Sequence, residues 1–84
     1  MGNNRRGKFE IIAEMLSIAK SEVGKTALLY GANLNHSRVN RYLDLLKQKG
    51  FIQKIHRSAT KYKTTEKGIQ FLEQYRELKR EFEG

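Results

Sequence analysis

The residues best equipped for chemistry in this 84-residue chain are cations and amides in two short runs. The first is His36-Ser37-Arg38-Val39-Asn40-Arg41, and the second holds Lys54, Arg57, Lys61 and Lys63. A guanidinium presents a fork of N–H donors that fits a phosphate or the O6/N7 edge of guanine, and an Asn amide fits the N6/N7 edge of adenine. An ammonium offers a compact charge to phosphate oxygens. The chemistry on offer is recognition of a polyanion. Catalysis is not expected, because no nucleophile, base and orienting group fall into a set and no carboxylate pair stands out. With no cysteine in the chain, disulfides and thiolate metal sites are excluded. His36 and His56 lack cysteine or paired carboxylates nearby, so no metal is expected, and His36 reads as a phosphate neighbour. Gly24-Lys25-Thr26 resembles the end of a phosphate-binding loop, but the leading glycine would fall on Ala19, inside a helical pattern. No cofactor and no small-molecule site is legible.

The formal net charge of +8 is unevenly spread. Residues 38–67 carry nine Lys/Arg and two acids, Asp44 and Glu66, whereas residues 68–84 carry three and four. A localised excess makes a field that draws in a polyanion. Hydrophobic residues make up 38%, enough for one small core. The apolar runs are far too short to span a membrane. The start of the chain, Met1-Gly2-Asn3-Asn4-Arg5-Arg6, lacks the apolar stretch of a signal peptide. A cytoplasmic, nucleoid-associated location is therefore expected.

These residues need elements to position them. Residues 1–5 read as a disordered basic arm. From about residue 6 to 20 the pattern is helical, with Phe9, Ile12, Leu16 and Ala19 on the buried stripe. Gly24 is expected to close the following turn with a positive φ, and Thr26 to cap a second helix running from 27 to about 32. Asn33-Leu34-Asn35 suits a tight turn: Asn tolerates left-handed backbone and caps helices, and Leu34 turns inward. A third helix from 36 or 37 to 49 buries Val39, Leu43 and Leu46, with Gly50 after its basic last turn. A hairpin follows, with strands over 51–56 and 61–64 and a loop of about four residues, 57–60. Thr65 caps a last helix running to about 82. Ile69 and Leu72 face the core there. Phe71, Tyr75, Leu78 and Phe82 follow spacings of four, three and four, the mark of a coiled-coil seam.

A helix, then two helices joined by a three-residue turn, then a basic hairpin, make a winged helix-turn-helix of the α+β class, mostly α, here with an additional C-terminal helix. Such a fold lays helix 3 in the major groove of DNA and the hairpin on the backbone or minor groove. Base contacts are expected from Arg38, Asn40 and Arg41, with Ser37 and His36 beside them. Phosphate contacts are expected from Lys25, Lys47, Lys54, Lys61 and Lys63, and a minor-groove or backbone contact from Arg57. Four wing cations in one hairpin are expected to repel one another until an anion binds.

Lys8-Phe9-Glu10-Ile11-Ile12-Ala13-Glu14-Met15-Leu16, Lys25-Thr26, Tyr30-Gly31-Ala32-Asn33-Leu34-Asn35, Tyr42-Leu43, Gly50-Phe51-Ile52, Tyr62, Thr64-Thr65 and Lys67-Gly68 resemble, in this order, an archaeal winged-helix family. That family holds predicted transcriptional regulators and small basic chromatin-associated proteins. The resemblance covers about residues 8–75. It implies DNA binding through helix 3 and the wing, and dimerisation through a long C-terminal helix in an antiparallel coiled coil. The last helix here carries about two heptads of seam after Gly68.

The expected function is double-stranded DNA binding by a homodimeric transcriptional regulator. The alternatives are a non-specific chromatin-architectural protein and a protein-interaction module using the helix 4 seam. The expected division is an arm (1–5), a DNA-binding domain (6–65) and a dimerising helix (66–84).

Overall fold

The computed structural model describes residues 6–83, so the expected arm lies outside the described residues. The order is α1 (Lys8–Ile18), α2 (Lys25–Gly31), α3 (His36–Lys49), β1 (Ile52–His56), β2 (Thr60–Thr64) and α4 (Glu66–Glu83). The expected class holds: four helices and one two-stranded antiparallel sheet. One core joins Ile11, Met15 and Leu16 of α1 to Leu28, Val39, Leu46, Ile52, Tyr62 and Leu72.

Helix α1 starts later and ends earlier than its pattern suggests. Gly7 is its N-cap, and the Glu10 carboxylate accepts from the Gly7 N–H at 2.9 Å. Arg6 stands outside the helix, ion-paired to Glu14 and donating to the Ala32 carbonyl at the end of α2. A cation at that end complements the helix dipole. Of the expected stripe, Ile12, Leu16 and Ala19 are buried, joined by Ile11 and Met15, but Phe9 is 59% exposed.

The chain leaves α1 through Ala19, not through a left-handed Gly24. Gly24 has φ −84 and ψ 171 and serves as the N-cap of α2. Helix α2 therefore begins one residue before Thr26, which lies inside its exposed first turn. Between them Val23 forms an antiparallel bridge to Tyr62, donating to its carbonyl at 3.0 Å and accepting from its N–H at 2.7 Å. This adds a third edge to the wing. A lone β-branched residue carries no periodicity, so the pattern does not reveal it.

The turn into α3 follows the expected chemistry. Asn33 has φ 55, Leu34 is buried, and the Asn35 side chain accepts from the Arg38 N–H at 2.8 Å. Such a cap contributes about 1 kcal/mol. Val39, Leu43 and Leu46 form the buried stripe of α3. Gly50, at φ 78, ends the helix, and the Phe51 N–H returns to the Leu46 carbonyl at 2.9 Å.

The hairpin loop is one residue shorter than expected, because Thr60 already belongs to β2. The register pairs Ile52 with Thr64, Lys54 with Tyr62, and His56 with Thr60. Alternation turns Ile52, Tyr62 and Thr64 to the core. Thr64 ties the wing to α1: its hydroxyl donates to the Leu16 carbonyl at 2.7 Å and its N–H to that of Ala19 at 2.8 Å.

Three hydrogen bonds and a cation–π contact clamp the start of α4 to the end of α3 and the residues just after it. The Thr65 hydroxyl caps α4, accepting from the Gly68 N–H at 3.1 Å, and donates to the Gly50 carbonyl at 2.6 Å. The Thr65 N–H donates to the Phe51 carbonyl at 3.0 Å. The Lys67 ammonium donates to the Lys49 carbonyl at 2.9 Å and lies 5.4 Å from the centre of the Phe51 ring. Leu72 is buried and Ile69 half-buried, whereas residues 76–83 are all exposed, so α4 runs out past the core. No helix among the described residues is long and apolar enough to cross a membrane.

Candidate nucleic-acid interface

Burial of the α3 stripe sets the opposite face. His36, Ser37, Arg38, Asn40, Arg41 and Lys47 are all exposed. The first turn of α3 carries no acid. Asp44 stands in the third turn, 3.9 Å from the Lys47 ammonium. Lys25, the first residue of α2, is half-buried.

In the wing the register changes the expected picture. Lys61 stands opposite Ile55, Lys63 opposite Gln53 and Lys54 opposite Tyr62. Each lysine thus faces an uncharged residue, so no two of them are direct cross-strand partners. Alternation puts Lys61 and Lys63 on one face and Lys54 on the other. Lys54 and Lys63 are exposed and Lys61 is half-buried. Arg57 sits in the loop 57–59 with its side chain 69% exposed. Its Nη1 lies 3.4 Å from both carboxylate oxygens of Glu22. Glu22 was not among the expected site residues. Its partner is 35 residues away in sequence, and the Val23 bridge to Tyr62 lays the two segments side by side.

Tyr62 packs the wing on the core at 4% exposure. Burial pushes its phenol above the ordinary value, and the Asp44 carboxylate adds to the rise. The unfolded phenol ionises near pH 10. The folded chain holds its proton longer, so this contribution to stability is complete below about pH 10 and is lost as pH climbs through the folded value. In urea titrations Tyr62→Phe should lose less stability than the parent between about pH 9 and pH 12, each compared with itself at pH 7. Parallel losses would contradict the buried phenol.

The expected seam residues also lie together, and Phe9 joins them. Phe9, Phe71, Tyr75, Leu78 and Phe82 line an open apolar groove between the start of α1 and the outer half of α4. The Phe71 ring is 6.4 Å from Phe9, 5.2 Å from Phe51 and 6.3 Å from Tyr75. Phe71 and Tyr75 are half-buried, but Leu78 is 60% and Phe82 86% exposed. Helical spacing groups Phe9 with Ile12, Leu16 and Ala19; those three are buried, but Phe9, in the first turn of α1, stays exposed in this groove beside Phe71. Among the described residues no group of three or more His, Asp or Glu side chains is placed to hold a metal.

Comparison with known proteins agrees with this architecture. Residues 5–83 match a family described as winged helix-turn-helix. Over 65 residues the chain is 40% identical to an uncharacterized protein of Methanocaldococcus jannaschii, a stretch covering 76% of this chain and 64% of that one. The chain thus spans less than two thirds of that relative's length. The crystal structure of Sso10a-2, described as a DNA-binding protein from Sulfolobus solfataricus, superposes with a TM-score of 0.84 at 30% identity, covering 93% of this chain and 83% of that one.

Proposed function

The chain belongs to the winged helix-turn-helix family, and from that premise we propose that it binds double-stranded DNA as a homodimer and regulates transcription. The observation that carries the reading is the face of α3 opposite Val39, Leu43 and Leu46. There Arg38, Asn40 and Arg41 are free of the core, in the part of the helix that enters a major groove. Arg38 and Arg41 suit guanine and Asn40 suits adenine. Lys25, Lys47, Lys54, Lys61 and Lys63 neutralise phosphates, and Arg57 reaches the backbone or minor groove. The description of Sso10a-2 as a DNA-binding protein supports the same partner. In this reading residues 6–65 are the DNA-binding head. Helix α4 pairs two heads, covering Phe71, Tyr75, Leu78 and Phe82 together with Phe9.

The division of labour is testable on a site selected from random duplexes. Arg41→Ala should weaken the selected site about tenfold or more and change random duplex little. Lys61→Ala should weaken both by a similar factor, because phosphates carry no sequence. Equal behaviour of the two variants would overturn the assignment. A selection yielding no motif would move the reading to chromatin architecture. Absence of duplex binding would leave the α4 groove, and a protein partner, as the functional surface.

A further inference from the structure

Residues 15–65 carry ten Lys/Arg but only two carboxylates, Glu22 and Asp44. Both lie against a cation assigned above to DNA: Glu22 against Arg57 at 3.4 Å, and Asp44 against Lys47 at 3.9 Å. The Glu22 contact is the more deliberate. The two backbone hydrogen bonds of Val23 to Tyr62 hold the segment before α2 alongside β2, so the carboxylate is carried on the wing's own framework. Glu22 is the less exposed partner, at 31% against 69% for Arg57. The contact uses one guanidinium nitrogen, Nη1, for both carboxylate oxygens. A phosphate can therefore approach the rest of the fork before Glu22 lets go.

We propose that Glu22 is an intramolecular stand-in for DNA phosphate at the wing tip. It holds Arg57 between encounters and limits affinity, because a duplex must displace it to gain that contact. The inference rests on the DNA-binding reading above. An exposed ion pair is weak, so Glu22 acts as a competitor and not as a lock. Its effect is largest at low salt, where both the pair and the phosphate field are least screened.

The test is a titration of a random-sequence duplex with the full chain, at about 50 and 200 mM salt, for the parent, Glu22→Gln, Arg57→Ala and the double variant. Glu22→Gln keeps the side-chain length and leaves the Val23 hydrogen bonds in place. It should tighten binding about threefold at the lower salt, and less at the higher. With Arg57 already replaced, the same change should give less than half that gain, since there is no guanidinium to release. Glu22→Ala is a second variant with the same expectation, and a thermal melt verifies that each variant is folded. An equal gain in both backgrounds would overturn the proposal, because Glu22 would then act only through its field on the duplex. No gain, or a loss, would overturn it by making the pair a brace for the wing. A parent chain that ignores duplex at both salts would bring down the DNA-binding reading itself, and the proposal with it.

Discussion

Gly68→Ala is expected to destabilise the fold by about 2 kcal/mol, an outcome opposite to the usual effect of removing a glycine from a helix. Position 68 lies in the first turn of α4, where the helix passes over the start of β1. A Cβ there would stand 2.2 Å from the Phe51 carbonyl oxygen and 2.6 Å from the Thr64 Cγ2. The carbonyl is backbone and cannot swing aside, so the two elements must separate. Forcing atoms into a packed contact costs up to about 3 kcal/mol, while alanine returns about 1 kcal/mol of helix propensity. For a domain of this size the net loss lowers the melting temperature by about 10 °C. Gly31→Ala makes the control. Its Cβ would meet the Ile18 Cδ1 at 2.6 Å, the free end of a flexible side chain, so it should cost less than about 1 kcal/mol. Equal melting temperatures for the two variants would mean that the approach of α4 to β1 is looser than described.

A second large effect is expected from salt. Five ammonium groups, Lys25, Lys47, Lys54, Lys61 and Lys63, are assigned to phosphates on each head. Each releases counterions worth about 0.9 in the slope of log affinity against log salt, so one head should show a slope of about −4.5. Raising salt from about 50 to 200 mM would then weaken binding about 500-fold. Two heads engaged together double the slope to about −9, which makes the same titration a test of pairing. Replacing any one of the five with alanine should flatten the slope by about 0.9 per head. A parent slope shallower than about −2 would refute phosphate neutralisation by these residues.

Most of the architecture was legible because it rests on local rules. Asn33 takes the left-handed backbone, Asn35 caps α3, and Gly50 closes it, each for a reason contained within a few residues. The α3 stripe follows its spacing, and so the outward face bearing Arg38, Asn40 and Arg41 could be read from the chain. What escaped depends on residues far apart. Phe9 fits the helical stripe with Ile12, Leu16 and Ala19, yet at the start of α1 its neighbour is Phe71 of α4, and it stays exposed in the open groove while those three are buried. Thr26 is a good capping residue, yet the Val23 bridge pins the preceding segment and α2 begins from Gly24. The wing lysines looked crowded as a string of letters. The register that sets Lys54 opposite Tyr62 and not opposite Lys63 depends on a loop of three residues and not four. Glu22 carried no mark at all, because its neighbour Arg57 arrives only through the sheet.

The clamp between α3 and α4 has a mechanical consequence. Thr65 and Lys67 fasten the last carbonyls of α3 to the first turn of α4, and Gly68 lets that turn pass close over Phe51 and Thr64. The long axis of α4 is thereby a lever fastened to α3, the helix proposed above to read DNA. Under the proposed pairing of two such levers, the angle between two reading helices is set by a handful of contacts near residue 66, far from any base. The molecule then works as a protractor around the duplex: sites one helical turn apart, about 34–36 Å, present themselves to both heads, and a half-turn of extra DNA turns the second site to the opposite side.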